Sequence, residues 1–478
     1  MTFYRFKENM NIHPKSKEAY QLLHDGTLAL ARAEQQGMRV DLDYCERKKT
    51  FLTRKITYLE NQFYDSKFYR RWVHSIGNKK PNMNSNPQLA KYLYSTLKLE
   101  PASTTDSGQG ATDEDALKQL GLPELDILLQ VRKLKKLRDT YLDAFIREQV
   151  DGYVHPFFNL HLVRTFRSSS DRPNFQNIPK RDDMAKQITR RALFPRPGHQ
   201  LVEIDFSGLE VRIAAAYHFD PTMLKYILDP TTDMHRDMAQ QLFKVPKFDK
   251  SKPEHKYLRA AAKNGFVFPE FYGDYYKNCA KSLLIDWGKL PKGTWEAGQG
   301  VDMPGGIKLS DHLRKVKLYS MEDFTEHVRE IEFDFWNNRF PVYNKWKDQW
   351  WAEYQKNGYV DMYTGFRCSG VMSRNDVINY PVQGAAFHCL LWALIKIDKK
   401  ISQDALQSRI IGQIHDAIVL DVHPDERDLL IQLVQDIMCK QLSAAWTWIN
   451  TPLEVEVDAG VVDASWAELE PYAVITAT

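Results

Sequence analysis

What this chain of 478 residues lacks narrows it first. Its five cysteines, Cys45, Cys279, Cys368, Cys389 and Cys439, are scattered and form no C-x-x-C pair. That excludes a disulfide scaffold and a cysteine zinc site, and it predicts reduced thiols in a cytoplasmic setting. Long apolar runs are missing too: the best candidate, 390–397, is interrupted by Lys396. No membrane span is therefore expected. The opening residues Met-Thr-Phe-Tyr-Arg-Phe-Lys-Glu lack the apolar core of a signal peptide. A strong charge of either sign is absent, the net being +3, so any nucleic-acid surface must be a local patch. No internal repeat is visible. Aromatics are plentiful, with 11 Trp and 23 Tyr, which suits both core packing and stacking surfaces.

The pattern along the chain is mostly helical. Residues 17–36 read as a helix stopped by Gly37, and 43–75 as one long helix dense in charge and aromatics. A helix start precedes 89–99, and the Ser/Thr/Gly-rich stretch 101–113 reads as a flexible connection. Residues 115–150 are helical and basic at Arg132, Lys133, Lys135, Lys136 and Arg138, with few acidic residues nearby in sequence. A run of this kind is most often a solvated face, but the shortage of counter-charge favours a phosphate partner. A Gly/Pro-rich insertion covers 285–310, followed by helices at 323–337 and 343–356. From residue 408 two strands flank a tight turn at His415-Asp416, then come a helix at 425–446 and a strand at 453–457.

Two acidic side chains stand out. Leu201, Val202, Ile204 and Phe206 have strand character and carry Asp205 to the point where the chain breaks at Gly208, before a helical pattern of Leu209, Ile213 and Tyr217. Alone, Asp205 reads equally well as a helix cap. Asp416 sits at the tip of the late hairpin, where an Asp is common for its own sake. If the two strands are neighbours, the carboxylates converge, and either one titrates upward or divalent cations hold both. Hard oxygen ligands suit Mg²⁺ on a phosphate substrate, and two ions about 4 Å apart serve in-line phosphoryl transfer. Between these tips, Arg259 and Lys263 stand four apart, on one face of a helix, with His235 upstream and Tyr272-Gly273 downstream. Together they suit a triphosphate.

On these residues the chain resembles the polymerase region of family A DNA polymerases, the bacterial DNA polymerase I type, and looks most like a bacteriophage member. The run Asp205-Phe-Ser-Gly-Leu-Glu210-Val-Arg212 is similar to the family's D-Y-S-Q-I-E-L-R. Arg259-x-x-x-Lys263 through Phe268 and Tyr272-Gly273 is similar to its second motif, and Gln413-Ile-His415-Asp416 to its third. The stretch from Thr165 and Arg167 through Pro173, Asn174, Gln176 and Asn177 to Pro179 looks like T-G-R-x-S-S-x-x-P-N-L-Q-N-I-P, and Asn379-Tyr-Pro-Val-Gln383-Gly384 like I-N-x-P-x-Q-G. The likeness runs over nearly the whole chain.

The resemblance implies an α+β right-hand polymerase fold, with an antiparallel-sheet palm, a helical thumb and helical fingers. It divides the chain into an N-terminal segment with the start of the palm (1–45), thumb (46–147), palm (148–214), fingers (215–365) and palm again (366–478). It implies primer-dependent, template-directed DNA synthesis, with Asp205, Asp416 and Lys263 as the catalytic set. Asp205, Asp416 and the Phe206 carbonyl would hold two Mg²⁺ ions, with Mn²⁺ as a substitute. His235, Arg259, Lys263, Phe268, Tyr272 and Glu210 would bind the deoxynucleoside triphosphate, Glu210 with Tyr272 blocking a ribose 2′-hydroxyl. Arg167, Asn174, Gln176, Asn379, Gln383 and His415 would contact the primer–template DNA, where minor-groove acceptors test pair geometry without reading sequence. Lys135 would meet backbone phosphates. The expected protein is a monomer in the cytoplasm, of a host cell if viral, without membrane contact. It should not proofread, since no exonuclease motif region precedes the first palm segment, so a separate exonuclease or other replication proteins would accompany it.

Four departures qualify the likeness. The family's Glu after His-Asp is Ala417 here, and its Gln is Gly208. Its Arg four residues before Asn379 is Asn375, with Arg374 one place off. The stretch from Lys263 to Tyr272 is one residue longer than usual and contains Gly265 and Pro269, which predicts a helical bulge. Whether Phe266, Val267 or Phe268 then faces the sugar is open, and Phe268 is chosen because it lies four before Tyr272. Three other readings stand beside synthesis: an impaired primer–template binding protein, a reverse-transcribing or RNA-synthesising relative, and a metal nuclease.

Overall fold

The computed structural model describes residues 16–476 apart from 102–103, 106–107, 181, 250, 285–293 and 299–307. Most of the 285–310 insertion lies outside the described residues. The chain divides into two compact units, one of Met1–Thr50, Leu137–Leu228 and Pro341–Thr478, the other of Phe51–Lys136 and Asp229–Phe340.

The first unit is built on a five-stranded antiparallel sheet. Its strands are β1 (Gln200–Phe206), β2 (Arg409–Ile414), β3 (Ala417–Val422), β4 (Glu454–Ala459) and β5 (Glu470–Thr476), in the order β5-β4-β1-β3-β2. Of the three inner strands, β1 and β3 are mostly apolar and buried at every position but Asp205, with Gln200, Glu203 and Asp421 buried among the apolar residues, as expected of strands covered on both faces. The closing strand expected at 453–457 is Glu454–Ala459, and it pairs with β5, a partner strand that the sequence pattern did not reveal.

The Arg374–Gln403 helix backs this sheet and is buried along most of its length, as its apolar sequence from Val377 to Ile401 dictates. Ser373 and Asp376 form a capping box at its start. Gly384 is required here: a Cβ would lie 2.4 Å from the Thr165 carbonyl and 2.7 Å from Met362. The Ser16–Gln36 helix packs against both this helix and β2, and Gly37 ends it at a φ of 64°.

The second unit is helical. The single helix expected over 43–75 is instead two, Leu42–Asp65 and Lys67–Ser75. Ser66 takes an extended conformation and its hydroxyl caps the second by accepting the Tyr69 amide, so chain propensity yields to a local side-chain cap. Residues 115–150 are also interrupted, at Gly121-Leu122-Pro123 and by a π-turn at Lys136–Leu142. Among the described residues no helix is long and apolar enough to cross a membrane. All five cysteines are buried free thiols.

Candidate active site

Asp205 and Asp416 meet. β1 and β3 are hydrogen-bonded neighbours with Asp205 opposite Ala417, and the Phe206 amide donates to the Asp416 carbonyl at 3.2 Å. The hairpin turn between β2 and β3 is two residues long, His415 taking the left-handed region (φ 51°) so that Asp416 turns back toward β1. Burial is the main cause that raises both acids, Asp205 to about 7 and Asp416 to about 6. For Asp205, the nearby Lys180 opposes that rise, while Asp416, Glu203 and Glu456 add to it. Asp416 is lowered by Arg167 and raised by Glu210. Its Oδ1 is shielded from water with no hydrogen-bond partner, the Arg167 guanidinium standing 4.0 Å away. Two crowded carboxylates, one with an orphaned oxygen, fit a hard divalent cation. Among the described residues no three His, Cys, Asp or Glu side chains gather closely enough to hold a metal, so the inner ligands on offer are the two acids and a backbone carbonyl.

Beneath Asp205 lies an ionic network. Glu203 is fully buried, its Oε2 accepting from Arg190 at 3.0 Å and from the Trp466 indole at 2.9 Å. Arg190 also lies over the Trp466 ring, 4.1 Å from its centroid. Lys180 donates to Glu203 at 2.7 Å and stands 3.8 Å from Asp205 and 3.9 Å from Asp458. Sequence reasoning missed this group. Its one signal was the alternation Glu454, Glu456, Asp458, which marks a charged strand face.

Some of the expected DNA-contact residues of the first unit are joined by hydrogen bonds. Arg167 forms an ion pair with Glu210 and donates to the Gln383 carbonyl at 3.3 Å. Gln176 donates to Ser168 and to Gln413, at 2.7 and 3.0 Å, tying this segment to the hairpin that carries Asp416. Asn174 caps a short turn by accepting the Asn177 amide. Asn379 and Gln383, four apart on the Arg374–Gln403 helix, are its half-buried positions beside buried Ile378, Pro381, Val382 and Gly384. Gly208, where the family usually has Gln, opens the Leu209–His218 helix at a φ of 60°.

The second unit holds the cationic residues. Arg259 closes with its Nε on both oxygens of Asp233, at 3.1 and 2.8 Å, while Asp233 caps the Met234–Leu242 helix. The bulge expected after Lys263 is a π-turn over Lys263–Val267. Five residues in such a turn cover the angle that four cover in an α-helix, so Lys263 and Phe268 share a face. The Lys263 ammonium lies 5.1 Å from the Phe268 centroid and the His235 ring 5.9 Å from it. Phe266 and Val267 are fully buried instead, and Phe266 packs edge-on against Phe335. At His235, burial, with Arg259 and Lys263 beside it, lowers the pKa to about 4. The imidazole is therefore neutral, and its shielded Nδ1 has no hydrogen-bond partner among the described residues. Tyr272 is exposed at the end of the same helical run. Glu60 pairs with Lys135 at 2.6 Å. Arg132 is half-buried and donates to the Met83 and Thr112 carbonyls. The counter-charge missing nearby in sequence is supplied by the fold.

The model of the family described as DNA polymerase family A matches residues 45–289 and 325–468. The chain belongs to DNA polymerase family A. It is 27% identical over 456 residues to DNA polymerase I of Pseudomonas aeruginosa, covering 92% of this chain and 43% of that protein. Against DNA polymerase I of Bacillus subtilis it is 26% identical over 440 residues, covering 91% and 44%. The chain thus spans less than half the length of these relatives. The polymerase domain of Pol1 from M. smegmatis, solved in complex with DNA primer-template and dNTP, matches with a TM-score of 0.70 and 25% identity, over 93% of this chain and 70% of that one. The right-hand α+β polymerase fold expected from the sequence motifs is therefore the fold of this chain.

Proposed function

We propose that this chain carries out template-directed, primer-dependent DNA synthesis, joining deoxynucleotides to a primer 3′-hydroxyl with release of pyrophosphate. The observation that carries the reading is the meeting of Asp205 and Asp416, 211 residues apart in sequence, at adjoining strand ends with one carboxylate oxygen unpartnered. Asp205, Asp416 and the Phe206 carbonyl would hold two divalent cations, Mg²⁺ or Mn²⁺ in its place. When bound, these supply the charge that favours an ionised primer hydroxyl and a departing pyrophosphate. Arg259 and Lys263 take the triphosphate, Arg259 exchanging Asp233 for phosphate oxygens, and His235 offers a neutral hydrogen bond. Phe268 lies against the sugar, and Glu210 with Tyr272 excludes a 2′-hydroxyl. Arg167, Asn174, Gln176, Asn379, Gln383 and His415 follow the primer–template minor groove, and Lys135 reaches backbone phosphate only by leaving Glu60. The protein works as a cytoplasmic monomer on primer–template DNA.

Primer extension tests this directly. Wild-type protein with Mg²⁺ should extend a primer with deoxynucleotides and poorly with ribonucleotides. Asp416→Ala should bind the primer–template and extend nothing. Ala417 motivates the competing reading, a primer–template binder, and binding without extension by the wild type would establish it. Phosphodiester cleavage dependent on Asp205 would point to a nuclease.

A further inference from the structure

On the metal-binding face of the sheet Asp205 has two cross-strand neighbours. On β3 it faces Ala417, and on β4 it faces Glu456. Directly opposed residues on antiparallel strands have Cβ atoms about 4.5–5.5 Å apart on the same face, and like charges placed so are destabilising. An Asp–Glu pair in the middle of a sheet therefore costs stability, which is the kind of local rule that functional sites break.

The neighbouring cations do not resolve the conflict. Lys180 reaches Glu203, Asp205 and Asp458, and Arg190 is committed to Glu203. Among the described residues Glu456 makes no ion pair, and its one hydrogen bond is to the Ser207 hydroxyl, at 3.1 Å. With all four acids of this face ionised (Glu203, Asp205, Glu456, Asp458), the three cations that act on them, Lys180, Arg190 and Lys186, leave one negative charge uncompensated before Asp416 is counted. Asp416 adds an oxygen that is shielded from water and accepts no hydrogen bond.

We propose that Glu456 is the third carboxylate of the divalent-metal site, a positioning residue that acts on the cations through their water shell from the flank of Asp205 opposite Ala417. The outer position follows from its exposure and from the absence of a three-ligand cluster among the described residues. The inference rests on the polymerase reading for the identity of the inner ligands.

The test measures Mn²⁺ binding to the DNA-free protein, by EPR of the free ion, so that no turnover is needed. In Asp205→Asn the Asp205-dependent site should vanish. Glu456→Gln, close in shape and on an exposed position, should raise the Mn²⁺ dissociation constant by roughly three- to tenfold, as loss of one screened charge near a dication implies. Adding Ala417→Glu to it should restore affinity from the other flank. Primer extension by Glu456→Gln should need more Mg²⁺ while approaching the wild-type rate at saturation. An unchanged Mn²⁺ affinity in a folded Glu456→Gln protein would overturn the role of Glu456 alone. Undiminished binding in Asp205→Asn would instead overturn the reading of the inner site.

Discussion

Two side chains carry the nucleotide side of the proposed reaction, and they are tested differently. Lys263 is a point charge pinned beside the Phe268 ring, so it meets a triphosphate with little reorganisation. A charge-assisted hydrogen bond contributes about 1.5–3 kcal/mol. Lys263→Ala should therefore raise the KM for deoxynucleotide by roughly ten- to a hundredfold while leaving primer–template affinity intact. Steady-state kinetics with a DNA-binding titration checks this, and an unchanged KM would remove Lys263 from the site. Glu210 pairs with Arg167, and in the proposed role it excludes a 2′-hydroxyl by volume. Glu210→Ala should cut discrimination against ribonucleotides by about one to two orders of magnitude, read as the ratio of kcat/KM values. It should also slow deoxynucleotide addition, because Arg167 loses the carboxylate that aims it. An unaltered ratio would mean that sugar selection lies elsewhere.

At the scale of elements, the site depends on close approach between the Arg374–Gln403 helix and the segment around Thr165. Gly384→Ala would drive a methyl into the Thr165 carbonyl, and backbone cannot yield as a flexible side chain does. The loss should be about 2–3 kcal/mol or more, seen as a lower urea midpoint. It should come with weaker primer–template binding as Gln383 shifts from Arg167, whereas an unmoved midpoint would show that the helix has slack. This contact also marks where sequence reading stops. The strand carrying Asp205, the hairpin carrying Asp416 and the lengthened run after Lys263 were legible, because strand runs, turns and residue counts are local. The break at Ser66 was not, since one hydroxyl cap overrides a helical pattern on both sides. Nor were the Lys135–Glu60 and Lys180–Glu203 pairs. Ion pairing joins residues that only the tertiary fold brings together, so the sequence neighbours of Lys135 did not reveal its carboxylate partner.

At the scale of the whole molecule, acid should destabilise the fold through histidines that have no catalytic part. His388 is fully buried, 2.7 Å from the Thr364 hydroxyl and stacked on Phe366. His218 is buried against Tyr343. Desolvation lowers both to about 3 from an ordinary value of 6.5. The folded state thus keeps both rings neutral, while the unfolded chain takes up protons below 6.5. Their contribution is intact above that pH and is lost as pH falls from about 6.5 toward 3, each ring adding a slope of up to about 1.4 kcal/mol per pH unit. Asp205, Asp416 and Glu270, raised to about 7, 6 and 8, work in the opposite direction, since their protonated forms are favoured in the fold. The wild-type profile therefore mixes opposing slopes, and the difference from a variant isolates one histidine. His388→Gln keeps a hydrogen-bonding group beside Thr364 but cannot titrate, so it should be less stable than wild type at pH 8 and lose less on acidification. Urea denaturation at pH 8, 6, 5 and 4 should show the two stabilities converging as the pH drops. Parallel curves would mean that His388 stays neutral in the unfolded chain as well, or is reached by water in the folded one.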